Sequence, residues 1–142
     1  MRAIRFSVLA LLIVVALVGC AGTPTFMQLA DTKWQLTQLD GQPVDTESMR
    51  RTPYLLLHAD QRLEGFTGCN RVNGRYSGSD DSLRFDSLAS TRRYCNQGMD
   101  IEEAFTHALE RTQRAEIDGD SLALIDAQGH IVARLARDGA GR

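Results

Sequence analysis

The chain is 142 residues long, with 16 Lys and Arg against 18 Asp and Glu and a net charge of −2. That length suits one domain once a leader is set aside, and the mixed, nearly balanced charge excludes a nucleic-acid binder built on a basic stripe. Arg92–Arg93 is a pair of charges rather than a patch, and neither low-complexity tracts nor internal repeats are present.

Arg2 and Arg5 precede an apolar run over residues 6–18, closed by Leu17-Val18-Gly19-Cys20. A charged start, a short apolar core and small closing residues read as a secretory signal. The run is shorter than the about twenty residues that a bilayer-spanning helix needs. The closing four residues resemble a bacterial lipobox, in which the cysteine becomes the first residue of the mature protein and is lipid-modified with palmitate-type acyl chains. The plain alternative is an ordinary signal peptide with an incidental cysteine. Lipidation of Cys20 implies a membrane tether, because each buried CH₂ contributes about 0.8 kcal/mol. Ala21 rather than Asp after the cysteine points to the outer membrane, with the domain facing the periplasm.

Removing residues 1–19 of the 142 leaves 123, enough to bury a core without metals or many disulfides. Residues 20–30 read as the lipidated N-terminus and a spacer, with Ala21 to about Gln28 small and polar around Pro24. Residues 31–137 are the domain and 138–142 a tail. Thr32–Leu39 alternates polar and apolar residues, so a half-buried strand is expected, with Trp34 and Leu36 on one face. Asp40-Gly41 is a turn signal. Strands follow at 54–58 and 62–67 around the hairpin residues Ala59-Asp60-Gln61, then at 72–77 with Gly74 and Tyr76 inside. After a turn at 79–81, Leu83-Arg84-Phe85 alternates again and 88–93 suggests a further strand. Residues 99–113 are expected to form the one α-helix: Ile101, Phe105, Ala108, Leu109 and Thr112 make one stripe, with acids in the first turn and arginines toward the last. The segment 115–117 and strands at 121–125 and 130–136 complete the chain. Many short strands between frequent turns suggest a β-barrel or strongly curved sheet.

With Cys20 used by the lipobox, Cys69 and Cys95 remain, and an even pair in an oxidising compartment reads as a disulfide. Two packed free thiols, a catalytic thiol and a metal pair are the alternatives. A catalytic thiol needs a His base, and His58, His107 and His130 form no motif with either cysteine; zinc needs more ligands at its usual spacing. Asp80-Asp81 and Asp118-Gly119-Asp120 fit hairpin turns rather than a calcium loop, and Glu102-Glu103 fits a solvated helix start. No Gly-x-Ser-x-Gly, His-Glu-x-x-His or phosphate loop occurs. No enzyme activity, metal or cofactor is therefore expected.

Gly65-Phe66-Thr67-Gly68-Cys69-Asn70 is followed by Asn73-Gly74-Arg75-Tyr76, then Thr91 and Cys95 before Glu102-Glu103, with Trp34-Gln35-Leu36 upstream. This order resembles the META domain, the HslJ-like heat-shock lipoprotein family: a Trp-x-Leu strand, Gly-x-x-Gly-Cys-Asn, a Gly-x-Tyr strand, and Thr-x-x-x-Cys before a Glu-rich helix. The resemblance covers about residues 31–135. Arg92-Arg93-Tyr94 departs from it, since relatives often carry small apolar residues there. The family implies a small, mainly β, lipocalin-like antiparallel barrel with one α-helix and no established enzymatic activity.

Two roles are open for the motif residues. Gly65 and Gly68 allow positive φ or close backbone approach, and Asn70 and Thr91 can hold the resulting bend. Gly68, Gly74 and Thr91 then serve architecture. Alternatively Asn70, Asn73, Arg75 and Tyr76 line a small binding site. The expected function is that of an outer-membrane-anchored, non-enzymatic, monomeric lipoprotein that supports envelope integrity or stress tolerance through a protein partner. The alternative is a small-ligand carrier using the barrel mouth.

Overall fold

The computed structural model describes residues 25–140; the leader and Cys20 lie outside the described residues. A short helix α1 (Thr25–Leu29) is followed by strands β1 (Thr32–Leu39), β2 (Gln42–Pro43), β3 (Tyr54–Leu57), β4 (Arg62–Phe66), β5 (Arg71–Ser79) and β6 (Ser82–Ser90). Helix α2 (Met99–Arg111) and strands β7 (Arg114–Asp118), β8 (Ser121–Ile125) and β9 (Ile131–Arg137) follow. Neighbouring strands pair antiparallel, and β1 also pairs with β9, so β1 and β3–β9 close an eight-stranded barrel with β2 hanging on its rim.

Alternation selects the inward face. Trp34, Leu36, Leu55, Leu57, Leu63, Leu83, Leu122, Leu124 and Leu135 are each at most 1% exposed, so side chains fill the barrel interior. Period two alone would turn Gln38 inward after Leu36. Instead, Leu36 faces Leu135 and Gln38 faces Arg134, which makes Thr37 the extra residue of a β-bulge. Its hydroxyl donates to the Arg134 carbonyl at 3.0 Å, and Leu39 is returned to the core.

Strand β6 joins the two segments that the sequence separates, because a second bulge absorbs the break. Asn73 pairs with Ala89 but Arg75 with Asp86, and Ser87 adopts φ 55°. The strand stops at Ser90 rather than continuing to residue 93. Strands β6 and β7 share a single pairing, Ser82 with Arg114, and then diverge. Helix α2 lies over this gap, packed on β6 from one side and on β1, β8 and β9 from the other, and it buries Phe105, Ala108 and Leu109. It ends at Arg111, not 113: Thr112 turns extended and its hydroxyl donates to the Ala108 carbonyl at 2.8 Å.

The expected spacer also differs. Its end is helix α1, whose Leu29 is fully buried and whose Phe26 ring lies 5.5 Å from that of Tyr76. The Phe26 amide donates to the Asp80 carbonyl at 2.7 Å. Phe26 and Leu29, three residues apart, share one helical face, which is enough to dock a single turn. α1 thus seals the pole formed by the β3–β4 and β5–β6 hairpins. The opposite pole carries the ends of β4 and β6 and the start of β5.

Candidate functional site

The pole remote from α1 is built on glycines and one asparagine. Gly68, at φ 141°, and Gly98, at φ 87°, approach so closely that a Cβ on either would lie 2.5 Å from the carbonyl oxygen of the other. Only glycine fits such contact. It brings the β4–β5 connection against the start of α2. Cys69 and Cys95 are joined by a disulfide with Cα atoms 5.8 Å apart, which removes the thiol and metal alternatives for this pair. Gly65 is extended, and a Cβ there would meet the Tyr54 carbonyl at 2.5 Å, so its role is close strand approach.

Asn70, 2% exposed, is the hub. Its Oδ1 accepts from the Thr91 hydroxyl at 2.9 Å and the Arg93 amide at 2.7 Å. Its Nδ2 donates to the Arg93 carbonyl at 3.0 Å and to Glu102 Oε1 at 2.8 Å. Glu102 Oε2 also accepts from the Asn70 amide at 2.7 Å and the Cys69 amide at 3.1 Å. Glu102 is therefore not the solvated helix-start acid expected from the sequence; it ties α2 to the β4–β5 turn, while Glu103 stays exposed. Charge-assisted bonds of this kind are the stronger ones. They explain why the strand predicted to reach residue 93 ends at 90: both backbone groups of Arg93 are held by Asn70 instead of a neighbouring strand.

The remaining motif residues do not converge. Tyr76 is 2% exposed near the α1 pole, and its hydroxyl donates to the His58 carbonyl at 2.6 Å. Burial, and then the charges of Asp31 and Asp60, raise its pKa above the usual 10.0. Asn73 and Arg75 sit on the exposed face of β5 between them. Gly74 faces the β6 bulge, where a Cβ would lie 2.9 Å from the Leu88 side chain. Asn70, Asn73, Arg75 and Tyr76 are consequently not one pocket, because alternation along β5 sends them to different faces and ends.

What the fold does assemble is a cleft of about 1090 Å³ outside the barrel, around the disulfide. Arg50, Arg51, Arg71 and Arg93 line it, from the β2–β3 loop, the start of β5 and the β6–α2 connection. None of the four is in an ion pair among the described residues. The Arg51 guanidinium stands 5.4 Å over the Phe66 ring, and Arg93 Nη2 donates to the Cys69 carbonyl at 3.2 Å. Tyr94 projects beside them, 84% exposed. Among the described residues no carboxylate lines this cleft. A second, smaller groove of about 570 Å³ on α2 has the opposite character, lined by Asp40, Asp100, Glu103 and Glu110 with His107. Among the described residues no group of three or more His, Cys, Asp or Glu is placed to hold a metal ion.

Sequence reasoning found the disulfide pair and the Asn70 bend but missed the cleft, since its arginines lie more than forty residues apart between Arg50 and Arg93. Arg92-Arg93-Tyr94, standing where the resembled family carries small residues, was the available signal.

A closed antiparallel barrel with one helix across its diverging seam, stapled at one pole, defines a small β-barrel domain. The chain belongs to the META domain family, whose model matches residues 27–139. Its fold is similar to an NMR structure of a protein from Burkholderia xenovorans, with TM-score 0.66 and 28% identity over 84% of this chain and 92% of that one. A second NMR structure matches with TM-score 0.64 and 22% identity over 80% of this chain and 95% of that one. The crystal structure of a DUF4847 family protein from Bacteroides vulgatus matches with TM-score 0.59 and 13% identity over 76% and 93%. The latter two likenesses concern the fold alone. No curated protein matches.

Proposed function

We propose that this META domain protein is a lipid-anchored, outer-membrane lipoprotein facing the periplasm, and that it supports envelope integrity by binding a protein partner rather than by catalysis. The observation that carries the binding role is the open cleft with four arginines lacking counter-charges, set on a pole made rigid by the disulfide and Asn70. A fixed backbone that gathers unpaired guanidinium groups favours association with an anionic surface, since no internal ion pair has to be broken first. The filled barrel interior weighs against the small-ligand carrier, which requires an apolar cavity inside the barrel. The Leu17–Cys20 motif supports the anchor.

Two measurements test this reading. Cys20→Ser is expected to shift the protein from the membrane fraction to the soluble one or to block its processing; unchanged membrane attachment removes the anchor. Deletion of the protein is expected to lower survival under heat or detergent stress, with in-cell crosslinking recovering a specific envelope partner. Unchanged tolerance together with no crosslinked partner sinks the envelope role.

A further inference from the structure

We propose that the arginine cleft is the docking site for a carboxylate-rich segment of the partner protein, an assignment that deepens the partner-binding reading and rests on it. Arg62, Arg111, Arg114 and Arg137 each meet a carboxylate within 3.3 Å. Arg50, Arg51, Arg71 and Arg93 do not, although they share one cleft. Glu102, which bonds to the Cys69 and Asn70 amides behind the cleft without lining it, is already occupied by them and by the Asn70 side chain. The positive potential of the cleft is therefore uncompensated from within the described fold, and clefts of one sign attract ligands of the other.

The shape of the site selects among anions. Its cations come from three separate segments instead of converging on one point, which suits several carboxylates spaced along a chain better than a single inorganic anion. Met49, Phe66 and Tyr94 interleave with them. These apolar surfaces fit peptide side chains, and exposed Tyr beside Arg is the composition of a protein-binding surface. The backbone of Arg93 is gripped at both its N–H and its C=O by Asn70, which fixes where residues 93 and 94 leave the fold before any partner arrives.

Position decides against the headgroups of the protein's own membrane. Strand β5 runs from Arg71 at the cleft to Ser79 beside α1, about 27 Å of strand. Cys20 precedes Thr25 by five residues, which reach at most about 18 Å. The described chain begins at the α1 pole, so a lipid on Cys20 would hold that pole nearest the membrane and leave the cleft at the other end of the barrel.

The test titrates fluorescent oligoglutamate into the full chain in nonionic detergent and follows anisotropy. The expected result is saturable binding that is lost at about 1 M salt, where the Debye length falls to about 3 Å. Arg50→Glu with Arg71→Glu is expected to weaken it at least about tenfold, since reversal places like charges together. Arg75→Glu with Arg84→Glu makes the same change in net charge on exposed positions outside the cleft and is expected to leave affinity within about twofold. Tyr94→Ala is expected to weaken binding about threefold. Absence of saturable binding, or equal loss in the two double variants, overturns the site. Stronger binding of inorganic phosphate or phosphatidylglycerol vesicles through the same arginines overturns the peptide assignment in favour of a phosphoryl site. Unfolding midpoints of the variants exclude misfolding as the cause. The failures separate from those of the broader reading: loss of anchoring in Cys20→Ser leaves oligoglutamate binding untouched, and a crosslinked partner without such binding places the interface elsewhere.

Discussion

Asn70 holds the cleft pole together through both ends of its amide, and substitutions there should separate shape from charge. Asn70→Ala leaves the Arg93 amide and the Glu102 carboxylate short of partners, and the expected cost is about 1–3 kcal/mol in urea unfolding. Asn70→Asp sets a second carboxylate against Glu102. Two adjacent carboxylates repel when both are ionised, so this variant is expected to lose more stability relative to the wild type at pH 7 than at acid pH. A loss no greater at pH 7 than at acid pH would contradict the geometry. Tyr76 carries the same sign at the other end of the scale. Its native pKa lies above 10.0 through burial first and then the nearby Asp31 and Asp60 charges. Its contribution is intact below that value and lost as pH climbs beyond it, and Tyr76→Phe should remove that share of the alkaline slope. Trp34 differs again: its indole Nε1 is buried without a hydrogen-bond partner among the described residues, so Trp34→Phe should cost far less than the about 3–5 kcal/mol of Trp34→Ala.

Elements, in this fold, are placed by a few side chains each. The disulfide closes a loop of sequence separation 26 between the start of β5 and the approach to α2. Replacing Cys69 and Cys95 by Ser should lower stability by about 3.5 kcal/mol in the chain-entropy account, read from the unfolding midpoint against the oxidised protein. α1 is too short to persist alone and is held by Leu29 and Phe26. Leu29→Ala should cost about 2–5 kcal/mol, whereas a mere spacer would tolerate it without effect. The β1 bulge at Thr37 corrects the register for Leu39. Leu36, Gln38 and Leu39 alternate once that extra residue is taken out, so deleting Thr37 should keep both the Trp34–Leu36 half and Leu39 on the core side, with a folded barrel by near-UV circular dichroism.

At the scale of the whole molecule, closure of β1 on β9 leaves two poles with different tasks. One is covered by α1 and receives the N-terminal segment; the other is stapled and carries the arginine cleft. This polarity accompanies the single pairing between β6 and β7, beside which α2 packs on β6 and α1 on β7. α2 then lies with its start at Gly98 against Gly68 and its Glu102 within reach of the β4–β5 turn.

The sequence by itself determined most of the strands, helix α2 and the family resemblance, and it put Cys69 and Cys95 forward as a pair, because each is written in local alternation, helical spacing or a short motif. Trp34 and Leu36 announce an inward face, and the stripe from Ile101 to Leu109 announces α2, within a span of a few residues. Three things needed the tertiary structure. The docking of α1 depends on Tyr76, distant in the chain. The work of Glu102 depends on the Asn70 turn, since a helix-start acid looks the same in sequence whether it meets water or buried amides. The cleft depends on the pairing of β3, β4, β5 and β6, which brings Arg50, Arg51, Arg71 and Arg93 together from three segments. Charge density in space is a property of the fold, and a chain whose charges nearly cancel in sum gives no sign of where they gather.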